Sequence, residues 1–318
     1  MIQQAGVLAP IAAGPLVSWL NNYAAIHQVD LELIPGYTPI DSSNAEPSLW
    51  QQLAQDIRKL SSNYEGVLIL HGTDTMAYTA AALSFLLPNL TCPVILTGSQ
   101  IPLAEPNSDA ELNLNRSLNL LINYASQLPR EVFIFFGHAL FRGNRATKID
   151  NESQYAFDSP NYPSCLRYTA HDKIEFNSDF AALRRLSLAM PICHSLAPIK
   201  IKVRLLAPGL QELDIEPNSC VALILMTYGA GNAPTNPDFL AAIQKLTAQG
   251  VLVLNLSQCL RKTTKLNNYA VGCALRDVGV IDMGDITLEA CIAKLYYLFN
   301  SEVANLKKYL SLDLVGEM

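Results

Sequence analysis

The 318-residue sequence has no run of about 18 consecutive apolar residues, so no membrane-spanning helix is expected. It is also short of charge. Only 16% of residues are Asp, Glu, Lys or Arg, and the 22 basic side chains are outnumbered by 28 acidic ones, giving a net charge of −6. A nucleic-acid partner needs a basic surface to neutralise phosphates, and this balance excludes one. The seven cysteines, at 92, 165, 193, 220, 259, 273 and 291, form no Cys-x-x-Cys pair and are odd in number. Neither a disulfide framework nor a zinc site is indicated, which points to a reducing, cytoplasmic setting and no metal. Met1-Ile2-Gln3-Gln4-Ala5-Gly6 has no basic segment leading into an apolar stretch, so no secretory signal is expected. Internal repeats and low-complexity segments are absent as well. A small-molecule partner is the class that survives.

What is present is half hydrophobic and long enough for two domains, each with its own core. The most informative stretch is 66–80. Val67 to Leu70 is an apolar run, His71-Gly72 breaks it, and Met76, Ala80, Leu83 and Leu86 then recur at helical spacing. This predicts a strand, a tight turn and a helix. Ligands of parallel sheets bind outside the carboxyl ends of the strands, which makes the Thr73 hydroxyl and Asp74 carboxylate a candidate reactive pair. The plain alternative is that Asp74 or Thr75 caps the helix and Thr73 shapes the turn.

Residues 1–14 show no strand, and Pro15 to Ile26 reads as the first helix. Leu31 to Ile34 reads as a short strand before a polar loop at 39–44. Ser48 with Gln51 forms a capping box for a helix from Leu49 to Leu60. The strand-turn-helix design repeats at Pro93 to Leu96, Thr97-Gly98-Ser99-Gln100, and a helix capped by Ser108 or Asp109 and running to Tyr124. Val132 to Phe136 is another buried strand. A polar loop at 141–150 follows a strand end and so can reach the same crevice, but spacing alone does not place Lys148 there. Lysine is ordinarily a surface residue, but beside Asp74 it would serve as a proton-relay partner.

From 151 to 196 periodicity weakens, which reads as a long excursion and linker. Strands at Ile199–Leu206, Val221–Met226 and Val251–Leu256 follow, with a helix from Asn236-Pro237 to Gly250 and a final helix from Thr287 to Asn300. Asp285 and Glu289 lie near the positive end of that last helix. The expected fold is α/β in two domains: a larger parallel or mixed sheet with flanking helices over 1–190, a linker at 191–198, and a smaller flavodoxin-like α/β domain over 199–318.

Certain stretches form a recognisable set: Asp-Ser-Ser-Asn at 41–44, His-Gly-Thr-Asp-Thr-Met at 71–76, Thr-Gly-Ser-Gln-Ile-Pro at 97–102, Arg-Gly-Asn-Arg-Ala-Thr-Lys at 142–148, Tyr-Gly-Ala-Gly-Asn at 228–232 and Asp-Ile-Thr-Leu-Glu-Ala at 285–290. With these in order, the chain resembles the bacterial-type L-asparaginases, type I cytoplasmic branch. The resemblance implies hydrolysis of the side-chain amide of L-asparagine to aspartate and ammonia, with no metal and no organic cofactor. It implies that Thr73 is a reacting hydroxyl, that Lys148 polarises it through Asp74, and that Asp74 also receives the substrate α-ammonium. Ser42 and Ser43 would hold the α-carboxylate and amino group, with Asp41 supporting their loop. Asn232 and Glu289 would complete the site from a neighbouring subunit of a homodimer or homotetramer. His71 is expected to be structural.

The departures matter too. The family opens with a strand ending in Thr-Gly-Gly-Thr-Ile-Gly-Met, whose second threonine is the primary nucleophile, and Met1 aligns with the closing methionine. Two explanations stand: a start placed too far downstream, or a true truncation that leaves an amino-acid-binding or assembly homologue. An uncovered edge on a buried sheet argues for the first. The lid segment Gly6-Val7-Leu8-Ala9-Pro10 also lacks the family's tyrosine hydroxyl. An amidotransferase subunit serving tRNA is disfavoured by the absence of a basic face. Some type I members bind a second asparagine at a subunit interface, and the matching residues here are Thr147, Met226 and Cys259. An arginine is expected where Met226 stands, and a thioether cannot pair with a carboxylate, so activation by asparagine should be weak or absent.

Overall fold

The computed structural model describes residues 2–4, 7–9, 14–34, 39–181, 190–210, 212–261, 264 and 270–318. Strands β1 (Ile2–Gln4) and β2 (Val7–Ala9) pair antiparallel with each other, in register Ile2 to Ala9. This corrects the expectation of no strand before the first helix: three-residue strands are too short to show a period-2 pattern. Gly6 and Pro10 of the expected lid lie outside the described residues. Helix α1 (Gly14–His27) follows and buries Leu20 and Tyr23 against Leu118.

The strand expected at Leu31–Ile34 does not form; Val29 and Leu31 instead pack onto the Leu20–Tyr23 cluster. Helix α2 (Pro47–Leu60) begins with proline in its first turn and has Glu46 at its N-cap, without a side-chain cap. The predicted capping box is therefore absent, and Gln51 accepts from the Leu196 backbone N–H at 2.7 Å instead. Proline lacks an N–H, so it suits a position where none needs a partner.

Strands β3 (Val67–Leu70), β4 (Val94–Thr97) and β5 (Val132–Phe136) run parallel, with helix α3 (Met76–Leu86) after β3 and α4 (Ala110–Asn123) after β4. β4 and β5 are buried throughout because both faces are covered, which explains their unbroken apolar sequences. Val94, Leu96, Ile134 and Phe136 face the core beneath α3, and Ile95, Phe133 and Phe135 face Leu120 and Leu121 of α4. β6 (Ala139–Arg142) turns back antiparallel on β5.

The stretch read as an excursion carries strands. After the short pair β7 (Thr147–Lys148) and β8 (Phe157–Asp158), strands β9 (Leu166–Tyr168) and β10 (Ile174–Phe176) extend the large sheet to the order β10-β9-β6-β5-β4-β3. Residues 182–189 of that stretch lie outside the described residues.

The second sheet is parallel, in the order β11 (Ile201–Leu205), β12 (Ala222–Thr227), β13 (Leu252–Ser257) and β14 (Ile281–Asp282). Helices α5 (Pro237–Ala248), α6 (Ala270–Asp277), α7 (Leu288–Phe299) and α8 (Leu306–Leu310) accompany it. Asn236 caps α5 through the Phe239 N–H, and Thr287 caps α7 through the Ala290 N–H. Helix α3 is apolar on all sides and packs against α7, where Phe85 stacks on Tyr297 at 5.7 Å. A helix without a polar face must be covered all round, and here it fuses the two sheets into one core. Among the described residues, no helix is long and apolar enough to cross a membrane.

Candidate active site

The turn after β3 is fixed from below. Burial holds the His71 imidazole below its ordinary pKa, against the opposing effect of its bond to Gly72, and so favours the neutral ring. Trp50 Nε1 donates to Thr79 Oγ1 at 3.2 Å, which leaves the Thr79 hydrogen for His71 Nε2 at 2.9 Å. The ring proton therefore sits on Nδ1 and is given to the Gly72 carbonyl at 2.7 Å. His71 is satisfied on both nitrogens and is a structural member of the turn.

A side chain on Gly72 would begin 2.5 Å from Ser42 Oγ, so glycine is what allows the 41–44 loop to approach. That loop is tied down from two sides. Thr75 Oγ1 donates to the Ser42 carbonyl at 2.7 Å, and Asp41 Oδ1 accepts from the Ser43 N–H and hydroxyl, both at 2.9 Å. Those two bonds hold the Asp41 carboxyl below its usual range. Thr75 occupies the N-cap position of α3 without a side-chain capping bond, so neither it nor Asp74 plays the capping role that the plain reading gave them.

Lys148 reaches this turn from β7. Its Nζ donates to Thr73 Oγ1 at 2.8 Å and to Asp74 Oδ1 at 2.7 Å. The lysine side chain is 20% exposed and that of Asp74 is 60% exposed, so the ammonium is largely covered while the carboxylate is open to solvent. Thr73 Oγ1 in turn donates to Gln100 Oε1 at 3.2 Å. Gln100 was missed as a site residue, although its Thr-Gly-Ser-Gln turn stands at the carboxyl end of the strand beside β3. Asp109, expected as a cap for α4, makes no side-chain capping bond; its buried carboxylate accepts from the backbone N–H groups of Gln100 and Ile101. Ser108 Oγ accepts from Ala110 N instead.

The remaining expected residues lie elsewhere. Glu289 is buried at the start of α7 and accepts from Thr147 Oγ1 at 2.6 Å in its own chain. Asn232 is half-buried in the turn after β12, where its backbone pairs with Tyr228. Met226 is half-buried in β12, Cys259 is exposed after β13, and Thr147 is turned towards Glu289.

Fold and site define a two-domain α/β protein with a hydroxyl, an amine and a carboxylate gathered at the ends of parallel strands. Residues 3–182 match the family model for the asparaginase N-terminal domain, and residues 214–308 match that for the glutaminase/asparaginase C-terminal domain. L-asparaginase 1 of Escherichia coli K12 is 43% identical over 289 residues, covering 89% of this chain and 83% of that protein. The crystal structure of L-asparaginase I from Vibrio cholerae superposes with a TM-score of 0.83 at 40% identity, covering 97% of this chain and 93% of that one. The mouse 60 kDa lysophospholipase is 36% identical over 87% of this chain, which spans 49% of that protein. The chain belongs to the asparaginase family.

Proposed function

We propose that the protein hydrolyses the side-chain amide of L-asparagine to L-aspartate and ammonia. The observation that carries this reading is Lys148 Nζ placed on both Thr73 Oγ1 and Asp74 Oδ1. A threonine hydroxyl is a poor nucleophile unless a neighbouring base takes its proton. Lys148 is within reach to do so. The threonine hydroxyl attacks the amide carbon as its proton passes to Lys148 Nζ and Lys148 gives one of its own to Asp74 Oδ1; the tetrahedral intermediate then expels the amide nitrogen, which leaves as ammonia with a proton returned along the same path. Water then cleaves the aspartyl ester by the same exchange in reverse. Asp74, open to solvent, is the partner for the substrate α-ammonium, and the 41–44 loop offers Ser42 and Ser43 to the α-carboxylate and amino group.

The resemblance assigns the first attack to a threonine of the family's opening strand. Among the described residues, Thr73 supplies the hydroxyl that Lys148 contacts. Asn232 stands in the second domain, and its role belongs with a homo-oligomeric assembly in which a neighbouring copy completes the crevice. Release of ammonia from L-asparagine, followed with purified protein and compared with L-glutamine, tests the activity. Turnover of asparagine is expected. Calorimetric binding of L-aspartate without any ammonia release would instead favour the second reading, an amino-acid-binding homologue, for which the hydroxyl-free sequence Val7-Leu8-Ala9 is the supporting observation.

A further inference from the structure

Resting on the reading of Lys148 as the proton relay, we propose that Asn144 and Arg145 are positioning residues, which hold Lys148 on Thr73 and Asp74 by clamping its loop to the buried turn at 313–317. Lys148 stands on a ladder of only two residues, β7 against β8, too short to fix the direction of a long side chain by itself. Residues 143–146 before it belong to no strand or helix. Arg142 to Thr147 are nevertheless all buried, and their polar side chains reach into different parts of the molecule. Arg142 pairs with Glu131 at 2.8 Å, and Thr147 donates to Glu289 at 2.6 Å. Between these two points Asn144 Nδ2 donates to the Val315 carbonyl at 2.6 Å and Arg145 Nε to the Gly316 carbonyl at 2.7 Å, each across 171 positions of sequence. The Arg145 guanidinium also pairs with Asp285 at 2.9 Å.

The turn at 313–317 is built to receive them. Asp313 Oδ1 accepts from the N–H groups of Gly316 and Glu317, at 2.7 and 3.0 Å, and the Glu317 carboxylate accepts from those of Leu314 and Val315, at 3.0 and 2.7 Å. The backbone donors of 314–317 are thus taken within the turn, and the carbonyls of Val315 and Gly316 are the acceptors left for Asn144 and Arg145. The Lys294 ammonium of α7 holds Glu317 at 2.7 Å with both side chains fully enclosed, so the turn is itself fixed to a core helix. Leu314 to Glu317 are buried, and a carbonyl there that loses its donor has no water to replace it. Lys148 lies three positions beyond Arg145. A shift of about 1 Å at a reacting group can cost about 10²-fold in rate, so a loosened clamp is felt at the amine although neither clamping residue touches Thr73 or Asp74.

The test compares the unsubstituted protein with Asn144→Leu, Arg145→Met and, as a control, Ile243→Ala, whose side chain lies in the separate core around α5. At a temperature where all are folded by circular dichroism, two rates are measured: labelling of Lys148 by acetic anhydride, read by peptide mass, and ammonia release from L-asparagine. An amine 20% exposed and bonded to two acceptors labels slowly. In both loop variants Lys148 labelling should rise about tenfold, as release from a charge-assisted bond implies, and kcat should fall by about 10–100-fold. Ile243→Ala should lower the melting temperature and leave both rates unchanged, because a cavity far from the loop costs stability alone. Should a loop variant fail to fold, Arg145→Lys takes its place with the same expectation, since lysine keeps a charge for Asp285 but lacks the fork that also reaches Gly316. Unchanged Lys148 labelling in the loop variants, whatever their kcat, or an equal rise in Ile243→Ala, would overturn the assignment. If the labelling pattern holds while the unsubstituted protein releases no ammonia, the positioning of Lys148 stands and the asparaginase reading fails.

Discussion

Lys148 Nζ donates to Thr73 Oγ1 at 2.8 Å across 75 positions of sequence. The same nitrogen pairs with Asp74, so one lysine bridges the candidate nucleophile and the candidate substrate anchor. Lys148→Met keeps the length of the stem and removes the amine. It is expected to lower kcat for asparagine by about 10²–10⁴-fold, the range for loss of a proton-transfer group. Lys148→Arg should rescue little, because a guanidinium stays charged and cannot take the threonine proton. Steady-state ammonia release by both variants checks this.

The His71 relay predicts an acid-side loss of stability. Burial favours the neutral ring in the folded protein, so its folded pKa lies below the unfolded value of about 6.5. That contribution is fully present above the unfolded value and is lost as pH falls towards the depressed one, because the unfolded chain takes up the proton first. His138 is also held low, by burial and then by Arg167 and Arg116, and adds in the same direction. His71→Gln should flatten part of the decline in melting temperature below about pH 6.5. An unchanged slope would show that the ring does not titrate between the two states.

Lys294 and Glu317 form an ion pair at 2.7 Å in which both side chains are 0% exposed. Lys294 also donates to the carbonyls of Leu310 and Leu312, and the Glu317 carboxylate accepts from the N–H groups of Leu314 and Val315. Burial works to raise Glu317, but the lysine charge and these bonds overcome it and leave the carboxyl below its ordinary value. Glu317→Gln strands a buried ammonium and should destabilise the fold by about 3–5 kcal/mol, whereas the paired change Lys294→Met with Glu317→Leu should recover most of the loss. Urea unfolding of the three proteins decides it.

Met226 predicts simple kinetics. A half-buried thioether in β12 offers no charge to a second substrate carboxylate. Initial rates should therefore rise hyperbolically with asparagine concentration. Met226→Arg would be the place to look for sigmoidal dependence, and sigmoidal rates in the unsubstituted protein would contradict the expectation.

Buried parallel strands were the most legible part of the sequence. β4, expected at Pro93–Leu96, lies at Val94–Thr97, and β13, expected at Val251–Leu256, lies at Leu252–Ser257, because an apolar run covered on both faces has sharp polar ends. Short strands at the sheet margin were not legible: β9 and β10 have three residues each, with exposed Arg167 and Glu175 among them, and carry no distinct period. Helix α8, with five residues and two lysines, was missed for the same reason. In the site, Thr73 and Asp74 could be placed at a strand end from spacing alone. Lys148 could not, since its approach depends on how β7 pairs with β8, and only the motif resemblance pointed to it. The position of Glu289 behind Thr147 was invisible because it depends on the packing of α7 against the first domain.

The central claim is that the contact of Lys148 with Thr73 and Asp74 serves amide hydrolysis. Ammonia release from L-asparagine by purified Thr73→Val beside the unsubstituted protein tests it most directly. Turnover by the unsubstituted protein and its loss in Thr73→Val are predicted. Equal ammonia release by the two proteins would contradict it.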